Sequence, residues 1–287
     1  MGEFKLSEIN RRRKGRRLSI FTDLLILVAI LIVALPLAMK LKGNNLSDSE
    51  ELALGDIEPY ERNALLIDKI YKEFGVKVVY GEQSRDDAEK VGASVQEDEY
   101  VVTNNLIHIY ETFLDYPKEY FKDNNLTVVI LSNFSNSNIA LASRNSLNQY
   151  KIYISNARDY YRSLNHEMYH VFEYMLDSEF RRTIDSEWYE FNPRNFAYDS
   201  SLYNLDETWV YYEGCDLENA YFVSKYSKAS GKEDRAETFA EMMKYETDNQ
   251  PYFNISNSHI MEKASYLLKL LNYKYGEKEE HKWNVTT

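Results

Sequence analysis

The longest apolar stretch of the chain lies close to its start. Residues 18–39 are apolar at every position except Ser19, Thr22, Asp23 and Pro36. Because a helix of about 20 apolar residues crosses a hydrocarbon core of about 30 Å, this pattern predicts one transmembrane helix over residues 18–39. A cleavable signal peptide is the alternative, although such peptides have a shorter apolar run, and the run here is followed by Lys40 and Lys42.

Basic residues cluster on the N-terminal side of this stretch, in an arm formed by residues 1–17. Six Lys and Arg residues lie between positions 11 and 17, and two follow the span. The positive-inside rule therefore places the N-terminus in the cytoplasm. Residues 40–58 are polar and acidic and predict a stalk. Residues 59–287 would then form an ectodomain outside the cell.

Beyond the stalk, helical and strand patterns are mixed. The 3.6-residue periodicity predicts helices at Glu61–Phe74 and Asn104–Phe121, the second interrupted near Pro117. Predicted strands are Val76–Tyr80, Leu126–Leu131 and a hairpin of Ile139–Ala142 with Tyr150–Ile154. A helix carrying the string HEMYH, His166 to His170, follows this hairpin directly. The order predicts an α+β domain in which a small mixed sheet leads into the HEMYH helix.

The HEMYH helix separates apolar from polar positions. At about 100° per residue, one apolar stripe is formed by Leu164, Met168, Val171, Phe172 and Met175. His166 and His170 fall on the opposite side, where positions four apart are only about 40° from each other. We therefore expect the two imidazoles to face a cleft or solvent and to point at one metal ion. A buried structural histidine pair and a solvated polar face are the alternatives.

The spacing HExxH is typical of zinc hydrolases. In such sites the two histidines bind Zn²⁺, the pKa of the bound water falls to about 7, and the glutamate removes its proton. Here these roles would fall to His166, His170 and Glu167. A third protein ligand is needed, and the other histidines, His108, His259 and His281, have no suitable helical neighbours. Carboxylates are therefore the better candidates.

A later helix carries three evenly spaced glutamates. Glu233, Glu237 and Glu241 recur every four residues and share one face. The adjacent side is apolar, with Ala236, Phe239 and Met243. Glu233 is a candidate third ligand, but Ser230 and Glu233 also match a capping box, in which case Glu237 would be the ligand. Glu173, close after His170 on its helix, is expected to orient an imidazole.

The two motifs together resemble a known family. HExxH followed downstream by Tyr226, six residues, Glu233, two residues and Ala-Glu-x-Phe is similar to the lethal-factor-like and Pro-Pro endopeptidase-like gluzincin metallopeptidases. The resemblance covers roughly Tyr150 to Leu271, and it implies a zincin-like α+β fold. The implied zinc ligands are His166, His170 and Glu233. It further implies that Glu167 is the general base, that Tyr226 stabilises the oxyanion and that Glu237 lies beside the site.

Charge and cysteine content narrow the function classes. Residues 1–42 carry nine basic and three acidic residues, so the net charge of −12 for the whole chain leaves −18 for residues 43–287. Such an acidic ectodomain repels nucleic acid. Cys215 is the only cysteine, which excludes an internal disulfide and fits a bacterial surface. We expect a membrane-anchored zinc peptidase acting on extracellular peptides or proteins. An inactive tethered binding module with a zincin fold and a non-peptidase zinc hydrolase are the alternatives.

Overall fold

The computed structural model describes residues 57–122, 125–135, 139–155, 159–204, 219–248, 257–278 and 281–284. The chain divides into two compact units, Met1–Lys69 and Ile70–Thr287. The predicted arm, the predicted span at residues 18–39 and nearly all of the predicted stalk lie outside the described residues. Within the described part of the chain, no helix combines the length and the apolar character that a membrane crossing needs.

The described helices agree with the main helical patterns of the sequence. They are α1 Pro59–Phe74, α2 Arg85–Val91, α3 Glu99–Leu114, α4 Lys118–Phe121, α5 Tyr160–Met175, α6 Ser178–Tyr189, α7 Gly231–Asp248 and α8 Ser258–Tyr275. The predicted helix at Glu61–Phe74 is confirmed as α1. The predicted break near Pro117 is confirmed between α3 and α4, because proline lacks the N–H that would continue a helix. Side chains cap the starts of several helices, namely Asp98, Asp159, Asp177 and Asn257.

Five strands form one mixed sheet. They are β1 Lys77–Val79, β2 Ala93–Val95, β3 Leu126–Phe134, β4 Ala140–Arg144 and β5 Tyr150–Ile154. The central strand β3 is parallel to β1 and β5, and β2 pairs antiparallel with its C-terminal part. β4 pairs antiparallel with β5, so the predicted hairpin is confirmed. The α+β class with a small mixed sheet is therefore what the structure shows.

The sheet is buried on both faces. Val129, Leu131 and Tyr153 pack with Ala88 of α2 on one face. Neighbouring positions, which alternate to the other face, are also fully buried: Val128, Ile130 and Ile152. Helix α5 packs against β4 and β5, and α7 packs on α5. The helix that carries HEMYH and the helix that carries the three spaced glutamates therefore pack on each other beside the sheet.

Candidate metal centre

Helix α5 is covered on two sides. Four members of its predicted apolar stripe are buried, namely Leu164, Met168, Val171 and Phe172. The opposite face is buried too, because α7 packs across it: the exposed fraction is 3% for His166 and 9% for His170. A solvated polar face is therefore excluded. The expectation that the histidines face a cleft or solvent needs correction, since what they face is a second helix.

Three side chains meet between α5 and α7 and are close enough to hold one metal ion. The Oε2 of Glu233 lies 3.0 Å from the Nε2 of His166 and 3.3 Å from the Nε2 of His170. The two Nε2 atoms are 3.1 Å apart. One donor atom of each residue lies within 4.8 Å of the other two. Of the two glutamates considered as third ligand, the structure brings Glu233 to both Nε2 atoms.

Glu237 lies against the other ring nitrogen of His166. Its Oε1 is 2.8 Å from the Nδ1 of His166. Its Oε2 accepts hydrogen bonds from the guanidinium of Arg162 and from the hydroxyl of Ser224. A carboxylate in this position holds the proton on Nδ1 and leaves Nε2 available as a metal ligand. Glu237 is thus beside the site rather than among the three converging donors.

The two helices face each other through a regular set of polar contacts, here called the polar ladder. Its members on α5 are Arg162, His166 and His170, and its members on α7 are Glu241, Glu237 and Glu233. The Nε of Arg162 donates to the Oε1 of Glu241 at 2.7 Å, which adds a rung one turn beyond Glu237. Because both helices present residues four apart, the rungs follow one another in antiparallel order. The metal-ligand group is one end of this ladder.

Charges in the ladder shift the pKa values of its members. Burial lowers the pKa of His166, but hydrogen bonds to Glu233 and Glu237 outweigh it and raise the pKa to about 10. Burial raises the pKa of Glu233, but the nearby His170 and His166 bring it well below its ordinary value. Burial likewise raises the pKa of Glu237, and Arg162 and His166 outweigh it, which lowers the pKa to about 2. The site therefore favours a positive charge between the helices, which a metal ion or a proton can supply.

Glu167 lies beside the ligands with one carboxylate oxygen unused. The carboxylate accepts a hydrogen bond from the backbone N–H of Ala142 on β4. Its Oε2 is buried and has no hydrogen-bond partner among the described residues. Burial raises the pKa of Glu167 and outweighs the opposing charges of His166 and His170. A carboxylate with a raised pKa and a buried, unused oxygen is well suited to accept and return a proton.

Tyr226 lies next to the first histidine. It begins the short 3₁₀ turn Tyr226–Lys228 that precedes α7. Its ring centroid is 6.0 Å from that of His166, with an interplanar angle of 38°. Burial, and then the charges of Glu233 and Glu167, raise the pKa of Tyr226 well above its ordinary value. Its phenol therefore keeps its proton at neutral pH and can donate it in a hydrogen bond.

The predicted capping box at the start of α7 is half formed. The Oγ of Ser230 accepts a hydrogen bond from the backbone N–H of Glu233 at 3.3 Å. The Glu233 carboxylate points instead at the two histidines. The cap and the ligand role do not exclude each other, because the cap uses the backbone of Glu233 and the metal group uses its side chain.

Glu173 occupies a different place from the expected one. The sequence suggested that it orients an imidazole, whereas its Oε1 accepts a hydrogen bond from the Nε of Arg235 on α7. The Nη2 of Arg235 also pairs with Asp185 of α6 at 2.7 Å. Glu173 therefore ties α5 to its neighbouring helices.

Two residues next to the centre were not found from the sequence. Arg162 lies one turn before His166 on the same helix face, and its i, i+4 spacing to the first histidine was a usable signal. Ser224 gave no such signal, because it reaches Glu237 only through the folding of the segment before α7.

Comparison with known proteins provides no relative. No protein-family model matches the chain, and no curated protein or solved structure does so. The resemblance to lethal-factor-like gluzincins stays a prediction from the sequence.

Proposed function

We propose that this protein is a zinc peptidase. The observation that carries the proposal is the position of Glu167 beside the group formed by His166, His170 and Glu233. A purely structural metal site has no use for a buried carboxylate oxygen that bonds to nothing in the described part of the chain. A hydrolytic site needs such an oxygen, because a base must take a proton from water.

Zn²⁺ fits the three donors. Two imidazoles and one carboxylate are a usual set for catalytic zinc, with the fourth position left open. Tetrahedral zinc with ligands at about 2.0–2.1 Å requires donor atoms about 3.3 Å from each other. The donor atoms here are 3.0, 3.1 and 3.3 Å apart, close to that spacing.

The roles of the surrounding residues follow from their positions. A bound Zn²⁺ would supply Lewis-acid polarisation of a substrate carbonyl and of a water molecule. Glu167 would accept the proton of that water through its unused oxygen and pass it to the leaving amine. Tyr226 would donate a hydrogen bond to the oxyanion of the tetrahedral intermediate, since its phenol keeps its proton. Glu237 would hold the His166 ring in place.

Edge strand β4 offers a place for an extended substrate. The Ser155 N–H donates to the Ile139 carbonyl at 3.0 Å, which fixes the alternation of the ladder with β5. By that alternation the backbone groups of Ala140 and Ala142 point away from β5. No described strand pairs with this other edge of β4. A peptide added along it would pair with the backbone groups of Ala140 and would pass Glu167, which takes the Ala142 N–H.

The setting of the site is proposed from the sequence. Residues 18–39 would anchor the protein in a cell membrane as a single span, with the basic arm in the cytoplasm and the catalytic domain outside. The net charge of −18 beyond residue 42 makes a peptide or protein a better partner than nucleic acid. The two motifs that resemble lethal-factor-like gluzincins support the same assignment.

Metal content and chelator-sensitive cleavage test the proposal together. We expect the purified protein to hold close to one zinc per chain and to cleave members of a peptide library, with cleavage abolished by a chelator and restored by zinc. Stoichiometric zinc without cleavage of any library member would favour the tethered binding module. A protein that takes up no zinc would refute the metal site itself.

Two substitutions separate the metal from the chemistry. Glu167→Gln keeps the shape of the side chain but cannot take a proton, so it should retain zinc and lose turnover. His170→Ala removes a ligand and should lose the zinc. Glu173→Gln serves as a matched control, because Glu173 lies on the same helix but bonds to Arg235. Full peptidase activity in Glu167→Gln would refute the assignment of Glu167 as the general base.

A further inference from the structure

Tyr203 is fastened to the first turn of the helix that carries Glu233. It belongs to the 3₁₀ turn Ser200–Asn204, and its Oη donates to the Oγ of Ser230 at 2.8 Å. The same Oγ accepts the backbone N–H of Glu233 at 3.3 Å. A chain of two hydrogen bonds therefore links the phenol of Tyr203 to the backbone of a metal-ligand residue.

The ring of Tyr203 continues a row of rings that starts at the metal-ligand group. Tyr226 is tilted against His166 with centroids 6.0 Å apart. Tyr203 meets Tyr226 edge-on at 6.0 Å and 82°. The exposed fraction is 3% for His166 and 38% for Tyr203, so the row runs from the buried ligand to the surface. Tyr203 is its outer member.

We propose that Tyr203 is a specificity-determining residue, whose partly exposed ring forms one wall of the pocket for the substrate side chain next to the scissile bond. This role rests on the proposed peptidase function. The wall favours an aromatic side chain, because rings prefer offset or edge-on contact with another ring. The Tyr203 ring is already held by Ser230 and Tyr226, so little side-chain freedom is lost when a substrate binds.

Among the residues that the structure describes, two other large exposed side chains serve for comparison with Tyr203. Leu141 of edge strand β4 is as exposed as Tyr203 but carries no ring. Tyr189 of α6 is similarly exposed, and its Oη donates to the backbone carbonyl of Phe196. Its ring contacts Tyr198 rather than the row at His166. Tyr189 is therefore a matched control for the loss of a half-exposed, hydrogen-bonded tyrosine.

Peptide pairs that differ only in one residue next to the scissile bond test this role. The full-length protein is assayed with phenylalanine and with alanine at that position, and the ratio of the two kcat/KM values is measured. We expect Tyr203→Ala to lower this ratio by about 2- to 12-fold, the range that one aromatic pair contributes. Tyr203→Phe keeps the ring and should keep the ratio, as should Tyr189→Ala. Zinc content should be the same in all four proteins.

The possible outcomes distinguish a contact between the Tyr203 ring and the substrate from other roles of Tyr203. An unchanged ratio in Tyr203→Ala, with wild-type cleavage still chelator-sensitive, overturns the role of Tyr203 and leaves the peptidase intact. A ratio that falls equally in Tyr203→Phe also overturns it, because the hydroxyl and its bond to Ser230 would then be what matters. Absence of chelator-sensitive cleavage by the wild-type protein overturns the proposed function and the wall with it.

Discussion

Replacing Arg162 with methionine is expected to destabilise the protein far more than replacing Lys244 with methionine. Both residues tie α5 to α7 through ion pairs, one turn apart. Arg162 bridges Glu237 and Glu241, whose side chains are fully buried. Lys244 pairs at 2.7 Å with Asp159, whose side chain is 37% exposed. Both cations are buried, but the carboxylate partner of Lys244 is open to water, whereas the two partners of Arg162 are not.

The expected sizes follow from that difference. Removing one partner of a buried ion pair leaves an uncompensated charge and costs about 3–5 kcal/mol. A pair that is partly open to water contributes only about 0–1 kcal/mol. Arg162→Met should therefore lower the free energy of unfolding by about 3–5 kcal/mol, and Lys244→Met by at most about 1 kcal/mol. Arg162→Lys should lie between them, because an ammonium cannot hold both carboxylates as a guanidinium does.

Urea unfolding in the presence of a chelator measures these values without a contribution from metal. Trp188 and Trp283 are fully buried, so their fluorescence reports the loss of the core. A second readout is zinc affinity, which should fall about 10- to 100-fold in Arg162→Met because Glu237 loses the contact that fixes it behind His166. Equal losses of stability in Arg162→Met and Lys244→Met would refute the idea that burial sets the cost, and unchanged zinc affinity would refute the link through Glu237.

Three further predictions address the site and its support. Tyr226→Phe should keep zinc and lower kcat about 10²- to 10³-fold, because it loses the donor but not the ring, and steady-state kinetics showing an unchanged kcat would exclude Tyr226 from the chemistry. The raised pKa of His166, about 10 against an ordinary value of 6.5, means that its protonated form stabilises the metal-free fold fully below pH 6.5. This contribution is lost as the pH rises through 10, so urea midpoints measured in chelator should fall over that interval, but not in His166→Gln. Asp234→Asn should cost about 3–5 kcal/mol because Lys263 donates to Asp234 at 2.7 Å in the core; a double variant with Lys263→Met should recover part of it, and purely additive costs would contradict the coupling.

Local patterns in the sequence were enough for much of the fold. The break at Pro117 and the hairpin of β4 and β5 depend on residues close together in the chain, and both are found in the structure. Helix α2 and strand β2 were not predicted, since seven and three residues are too short to show a period. Their positions depend on β3, because α2 packs on it and β2 pairs with it.

The ligand choice shows where sequence reasoning stops. His166 and His170 followed from their spacing, but Glu233 and Glu237 share one helix face and were equally able to reach the metal by periodicity alone. The difference between them comes from Arg162 and Ser224, which hold Glu237 at the far nitrogen of His166. Such contacts join residues distant in the chain, and no local pattern contains them.

The burial of His166 and His170 also depends on contacts between residues that are distant in the chain. A polar helix face normally predicts solvent or a cleft, because apolar surface is what helices bury. In the polar ladder the polar faces of α5 and α7 cover each other, since Arg162 and His166 on one helix bond to Glu237 and Glu241 on the other. Two complementary polar faces can therefore form a helix interface, although neither sequence segment alone indicates it.

The distance along the chain between the ladder's two sides bears on when a metal ion can enter. Glu233 lies 67 residues after His166, so an unfolded chain offers the two histidines but not the carboxylate. Closing a loop of that length costs about 4 kcal/mol in chain entropy. Other contacts formed on folding must offset this cost before the third donor is in place. If the proposed zinc site is correct, the complete set of three donors would exist only after α5 and α7 have docked in the right register, so full zinc affinity would report that docking.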